Sequence, residues 1–142
     1  SCLLAPLVGR QAGLLLADTA RYAEKQLFVA QCGVDPARIS AIGGIEARGV
    51  DLWAEREHVL DLLTEAGREL LAAGRVQVLL LGCLSFLGLA HPLSERLGVP
   101  VVDPAVAPVA LAECLVRQGL KTSRKAYPAP PLRKRTWQSG QL

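Results

Sequence analysis

Methionine is missing altogether from these 142 residues, position 1 included. The chain opens instead on Ser1-Cys2-Leu3-Leu4-Ala5-Pro6-Leu7-Val8, an apolar stretch without a helix cap. That opening is the expectation for a chain entered partway through a longer protein. Aromatic side chains are scarce, with two each of Trp, Tyr and Phe, so few rings are on hand to stack bases. Hydrophobic residues make up 51% of the chain, yet no unbroken apolar run approaches the roughly 20 residues of a membrane span. No basic-then-apolar leader opens the chain either. No membrane partner is therefore expected, and a reducing cytoplasm is the expected location. The four cysteines (Cys2, Cys32, Cys83 and Cys114) form no CxxC pair, which sets aside a zinc site and a disulfide framework.

The net charge of +3 does not mark a nucleic-acid protein. Lys121, Arg124, Lys125, Arg133, Lys134 and Arg135 all fall in the last 22 residues, beside Pro128, Pro130 and Pro131. Residues 1–120 carry 10 basic and 13 acidic side chains, a net of −3. A basic, proline-containing end of this kind reads as a solvated tail over 121–142. Nucleic acid is set aside as a partner.

What is present is an alternation of strand and helix signals with short connections. Gly13 to Ala17 reads as an apolar strand, and Asp18 or Thr19 can cap the helix after it. That helix, from about Ala20 to Cys32, stops at Gly33, and Asp35-Pro36 makes the turn. Arg38 to Ile45 reads as a second strand, in which Gly43-Gly44 permits a bend or a close approach of backbone to ligand. A long amphipathic helix follows from about Glu55 to Ala73, with Val59, Leu60, Leu62, Leu63, Ala66, Leu70 and Leu71 on its apolar face. Gly74 ends it.

The run Val76 to Gly82 reads as a fully buried strand. Leu84 to Arg96 reads as loop and helix, the helix running to about Leu97, and Val99 to Asp103 reads as a fourth strand. The stretch from about Ala105 to Gln118 is apolar on nearly every side, which predicts a helix buried between two layers. Strands alternating with helices predict an α/β fold, a three-layer αβα sandwich around a small, mostly parallel sheet. Four strands barely cover such a helix, a second sign that part of the fold lies outside these residues.

Cys83 is the residue most suggestive of chemistry. It stands at the carboxyl end of the buried strand, where open α/β sheets bind ligands, and it is expected to face the positive end of the next helix, which favours thiolate. Its plain alternative is a small core hydrophobe. Cys2, Cys32 and Cys114 read as structural, His91 and His58 as helix-surface residues, and Asp103 as a helix cap.

Gly82-Cys83 with its small-residue and apolar turn, then Leu97-Gly98-Val99-Pro100-Val101-Val102-Asp103, resembles the second half of the aspartate/glutamate/hydantoin racemase superfamily. Leu111-Ala112-Glu113, then Gly119-Leu120-Lys121-Thr122-Ser123, Tyr127 and the prolines after it, resemble its hydantoin and allantoin racemase branch. The likeness is strongest over about residues 76–131 and looser from Arg10 to Trp53. It implies that residues 1–120 are one lobe of a two-lobe racemase-like fold, incomplete at the N-terminus.

The resemblance further implies a racemase or epimerase that uses no cofactor and no metal. Its substrate would be a small carbonyl or ureide compound of the hydantoin or allantoin kind. Two pseudo-symmetric lobes would each place a cysteine on one face of the stereogenic carbon. One thiolate removes the proton and the other thiol delivers one to the far face. Cys83 would be the second-lobe thiol, its counterpart lying in a missing N-terminal lobe. Backbone amides near Leu84 and Ser85 would hold a carbonyl oxygen, and Thr19 would donate a hydroxyl. As plain alternatives, Thr19 and Ser85 are helix caps.

Leu84 and Ser85 stand where the glutamate racemase branch carries threonine and histidine, which disfavours that branch. Assembly into a homo-oligomer is compatible with this reading, and the isolated chain is expected to be inactive. Two other readings stay open: a single-thiol enzyme like the arylmalonate decarboxylases, and a non-catalytic α/β module.

Overall fold

A computed structural model describes residues 2–129. Four strands form one sheet: β1 (Ala12–Leu16), β2 (Ile39–Gly44), β3 (Val78–Leu81) and β4 (Val101–Val102). Five helices accompany them: α1 (Ala5–Val8), α2 (Tyr22–Gln31), α3 (Arg56–Ala72), α4 (Ala90–Leu97) and α5 (Val106–Arg117). The strand order is β2-β1-β3-β4, and every pair is parallel. All five residues of β1 and all four of β3 are buried, as central strands covered on both faces require.

Alternation along the strands divides the core in two. The register sets Ile42, Leu14, Leu80 and Val102 in one row across the sheet. That row belongs to the smaller cluster, where Ala5 of α1 joins it. Leu15, Leu79 and Leu81 face the other way, onto Val59, Leu60 and Leu63 of α3, Leu93 of α4, and Phe86. Each such fully buried side chain is worth about 1.5–3 kcal/mol. The three layers expected from the sequence are present, one of them made by α3 and α4. Between those two helices, Arg96 bonds Asp61 and Glu57, and both carboxylates hold its guanidinium above its ordinary value.

Local signals act where the sequence places them. The Asp18 carboxylate caps the turn before α2 by accepting from the Ala20 amide at 2.8 Å. Asp35 does the same for Ala37 at 3.0 Å. Gly74 follows α3 with φ +76°, a left-handed conformation that closes the helix.

Gly82 is required by close approach. Its amide donates to the Leu15 carbonyl at 2.7 Å, and an added Cβ would lie 3.0 Å from that same oxygen and 2.6 Å from Leu16 Cδ2. Gly82→Ala is expected to cost about 1–3 kcal/mol by prying β1 from β3. An unchanged urea midpoint would contradict that packing.

Two expectations are corrected and one open alternative is decided. The stretch after Cys83 is loop and then helix, as read, but the loop opens on a single 3-10 turn (Leu84–Phe86) and α4 begins only at Ala90. The helix after Cys83 therefore starts seven residues beyond it, and its N-terminus does not adjoin the thiol. The glycines Gly43 and Gly44 admit protein rather than ligand, since added Cβ atoms would meet Leu70 at 3.3 Å and Thr19 at 2.6 Å. Most plainly, α5 is not sandwiched. Only Ala107 on it is buried, while Val109, Leu115 and Val116 are 59%, 42% and 74% exposed, because beyond β4 no further strand or helix among the described residues covers it. No helix among the described residues is long and apolar enough to cross a membrane.

Candidate active site

The connections place a crevice at one point of the sheet edge. From β1 the chain crosses through α2 to β2 on one side; from β2 it crosses through α3 to β3 on the other side of β1. The strand order thus reverses between β1 and β3, and in open α/β sheets such a switch point opens a crevice at the carboxyl ends. A cavity of about 310 Å³ lies there. Leu16, Asp18, Arg21, Lys25, Gly82 and Cys83 line it, from the ends of β1 and β3 and from the first turns toward α2.

Cys83 is half-buried and leaves β3 in an extended conformation as the residue before the 3-10 turn. Beyond it, the amides of Phe86 and Leu87 close the turn on the carbonyls of Cys83 and Leu84 at 3.1 and 3.0 Å. The amides of Leu84 and Ser85 stand at the open start of that turn, where no intrahelical acceptor exists. Leu84 is 67% exposed, and Ser85 is half-buried.

Two distant side chains hold the turn. Arg56, at the start of α3, donates through Nη1 to the Ser85 carbonyl at 2.8 Å and through Nη2 to the Leu87 carbonyl. Its guanidinium sits 5.0 Å from the Trp53 ring. Asp51 in turn fixes that segment by accepting from the amides of Trp53 and Ala54, and these bonds lower its carboxyl below the ordinary range. From the other side, buried Asp103 accepts from the Gly88 amide at 2.9 Å while capping α5 through Ala105 and Val106 at 2.8 and 3.1 Å.

Arg56→Ala is expected to lower stability by about 1–3 kcal/mol and to speed amide exchange over residues 84–88. Arg56→Lys should recover little of this, because one ammonium cannot replace the planar fork that spans two carbonyls. Exchange rates unchanged by either substitution would remove Arg56 from this positioning role.

The remaining candidates are scattered. Thr19 lies in the turn after β1, exposed, and its amide and hydroxyl both donate to Glu46. Glu46 adopts a left-handed conformation, φ 47°, and Thr19 is not among the residues lining the Cys83 cavity. Cys2 and Cys32 share the wall of an adjoining cavity, and burial, with Cys32 nearby, pushes the Cys2 thiol up. Cys114, read as structural, is instead exposed on α5. His91 is a surface residue 3.5 Å from Glu95, and His58 is exposed as well. Among the described residues, no cluster of three or more His, Cys, Asp or Glu side chains could hold a metal ion.

Residues 16–112 match the family described as Asp/Glu/Hydantoin racemase, and that span is more than half of the chain. The chain belongs to this racemase family. It is 39% identical over 84 residues to the hydantoin racemase of Paenarthrobacter aurescens, a match covering 58% of this chain and 36% of that one. It is 35% identical over 82 residues to the hydantoin racemase of Pseudomonas sp. (strain NS671), covering 57% and 33% respectively.

Among solved structures, allantoin racemase from Pseudomonas fluorescens superposes with a TM-score of 0.77 at 24% identity, over 96% of this chain and 58% of that one. Allantoin racemase from Klebsiella pneumoniae gives 0.80 at 22%, over 96% and 56%. The chain has the racemase fold, yet its match spans only about a third of the curated relatives' length and just over half of the solved ones.

In this racemase-family chain Cys83 is marked by its strand, whereas no such local signal marks Arg56, Glu46 or Lys25. Arg56 carries no sequence signal for its role, since its partners are backbone carbonyls 29 and 31 positions away. Glu46 is equally silent. Lys25 on α2 lies one turn after Arg21, the residue just before that helix, but their common side could be assigned to the Cys83 cavity only once the sheet order was known.

Proposed function

We propose that this chain is one lobe of a cofactor-independent racemase acting on a carbon acid beside a carbonyl, of the hydantoin or allantoin kind. The observation that carries it is the position of Cys83 at the mouth of the β1–β3 crevice, in a chain whose family match spans that crevice. Cys83 would be one of two acid/base thiols. Its thiolate takes the proton from the stereogenic carbon on one face, and the electron pair moves into the carbonyl to give an enolate. A second thiol returns a proton to the opposite face, and the reverse turnover exchanges their roles.

The amides of Leu84 and Ser85 would hold the enolate oxygen. Thr19 would join them by exchanging Glu46 for a substrate oxygen. The second thiol would come from an N-terminal lobe that also covers the exposed face of α5. Cys2 is a poor substitute, because it lines the adjoining cavity and not the one that holds Cys83.

Residues 121–142 are proposed to stand outside the lobe. Over 121–129 they are exposed and carry no helix or strand, while Pro130, Pro131, Arg133, Lys134 and Arg135 lie outside the described residues. Polarimetry on an enantiopure 5-substituted hydantoin tests the proposal. The 142-residue chain should leave the rotation unchanged, and the chain joined to an upstream lobe should bring it to zero. Rotation lost with the short chain, and kept after Cys83→Ser, would contradict it.

A further inference from the structure

Lys25 stands between two cavities at the carboxyl edge of the sheet. One holds Cys83. The other, about 290 Å³, is lined by α2 and by the sheet face that carries Leu14 and Leu80, and its wall is mostly apolar, with Phe28 and Val29 also among its lining. Gly82 also borders both, so the two spaces adjoin. Among the described residues lining the second cavity, Lys25 is the one that carries a charge.

Its surroundings leave that charge unanswered. Lys25 is half-buried, its ammonium is 5.9 Å from the Phe28 ring centroid, and it forms no ion pair among the described residues. Asp18 lines the Cys83 cavity with Lys25 but forms no ion pair with it, and Arg21 there is a second cation. Arg21, one turn earlier, pairs with Glu24 at 3.6 Å, and the Asp18 carboxylate accepts from the Ala20 amide at 2.8 Å. A half-buried ammonium against apolar walls gives up hydration and gains little from one ring. A bound anion would restore what it loses, and in a partly dehydrated cleft that attraction is stronger than in water.

We propose that Lys25 selects substrates whose substituent on the reacting carbon is a short alkyl chain ending in a carboxylate. The chain would lie along Phe28 and Leu80, and the carboxylate would meet the Lys25 ammonium, with the reacting carbon at Cys83. This rests on the reading of Cys83 as the thiol at that carbon. It adds the substrate class: hydantoins carrying an acidic side chain, preferred over those of equal length carrying an apolar one.

The test follows Cys83 alkylation by iodoacetamide, resolved by peptide mass spectrometry, while 5-(2-carboxyethyl)hydantoin or 5-propylhydantoin is titrated in. The carboxylated compound should protect Cys83 at a concentration at least about 10-fold lower, a difference of ~1.4 kcal/mol. Lys25→Gln should bring the two compounds together, and Lys25→Arg should keep most of the preference. Equal protection of the unaltered chain by both would overturn the role of Lys25 and leave the reading of Cys83 standing. A preference that survives Lys25→Gln would also overturn it. Protection by neither compound would remove both.

Discussion

Joined to an upstream lobe, the chain should lose its racemase activity on the order of 10³-fold when Cys83 becomes serine, the usual scale for removing a positioned acid/base group. A serine hydroxyl at the same place keeps the shape and is far too weak an acid to exchange the proton. The loss should appear in kcat more than in KM, because the thiol acts on the proton while the turn after it holds the ground-state carbonyl. Cys114→Ser, on the exposed face of α5, should leave the rate within a factor of about two. Polarimetry with both enantiomers checks this directly. A Cys83→Ser enzyme that retains a tenth or more of its activity would place the chemistry elsewhere.

Asp103→Ala should produce the largest loss of stability among the residues that frame the site, about 2–4 kcal/mol. A lost helix cap contributes about 0.5–2 kcal/mol and an orphaned, partly buried amide about 1–3 kcal/mol. Both apply here, since one carboxylate serves Ala105, Val106 and Gly88 together. Asp103→Asn should cost less, because its remaining oxygen still caps α5, while its amide group would face the Gly88 N–H. The urea midpoint reads the total. Amide exchange at Gly88 separates the two parts: in Asp103→Asn it should quicken although α5 stays protected. A shift below about 0.5 kcal/mol for the alanine variant would mean that the carboxylate does not hold the turn after Cys83.

Much of the fold could be read in the residues because local and global signals agree. Asp18, Asp35 and Gly74 end or begin elements where their chemistry requires, and the apolar face of α3 is the face that packs. What depended on distant partners was not legible. The stretch after Cys83 reads as a loop, but its shape is set by Arg56 and Asp103, which take the carbonyls of Ser85 and Leu87 and the amide of Gly88, so that α4 starts well beyond the thiol. The apolar composition of α5 predicts burial, but among the described residues only Ala107 on it is buried.

The candidate site shows the same division. Cys83 follows a strand signal that one sequence carries by itself. The placing of Arg21 and Lys25 beside it required the order β2-β1-β3-β4.

The most direct test of the central claim, that Cys83 is the reacting thiol of a racemase lobe, is site-resolved alkylation of the native chain with iodoacetamide, with and without a 5-substituted hydantoin. The expected result is that Cys83 reacts although it is half-buried, that the hydantoin slows it, and that exposed Cys114 reacts at the same rate in both samples. If Cys83 reacts only when the protein unfolds, it is a core residue; if it reacts but the hydantoin leaves its rate unchanged, it does not face the substrate; either result contradicts the proposed function.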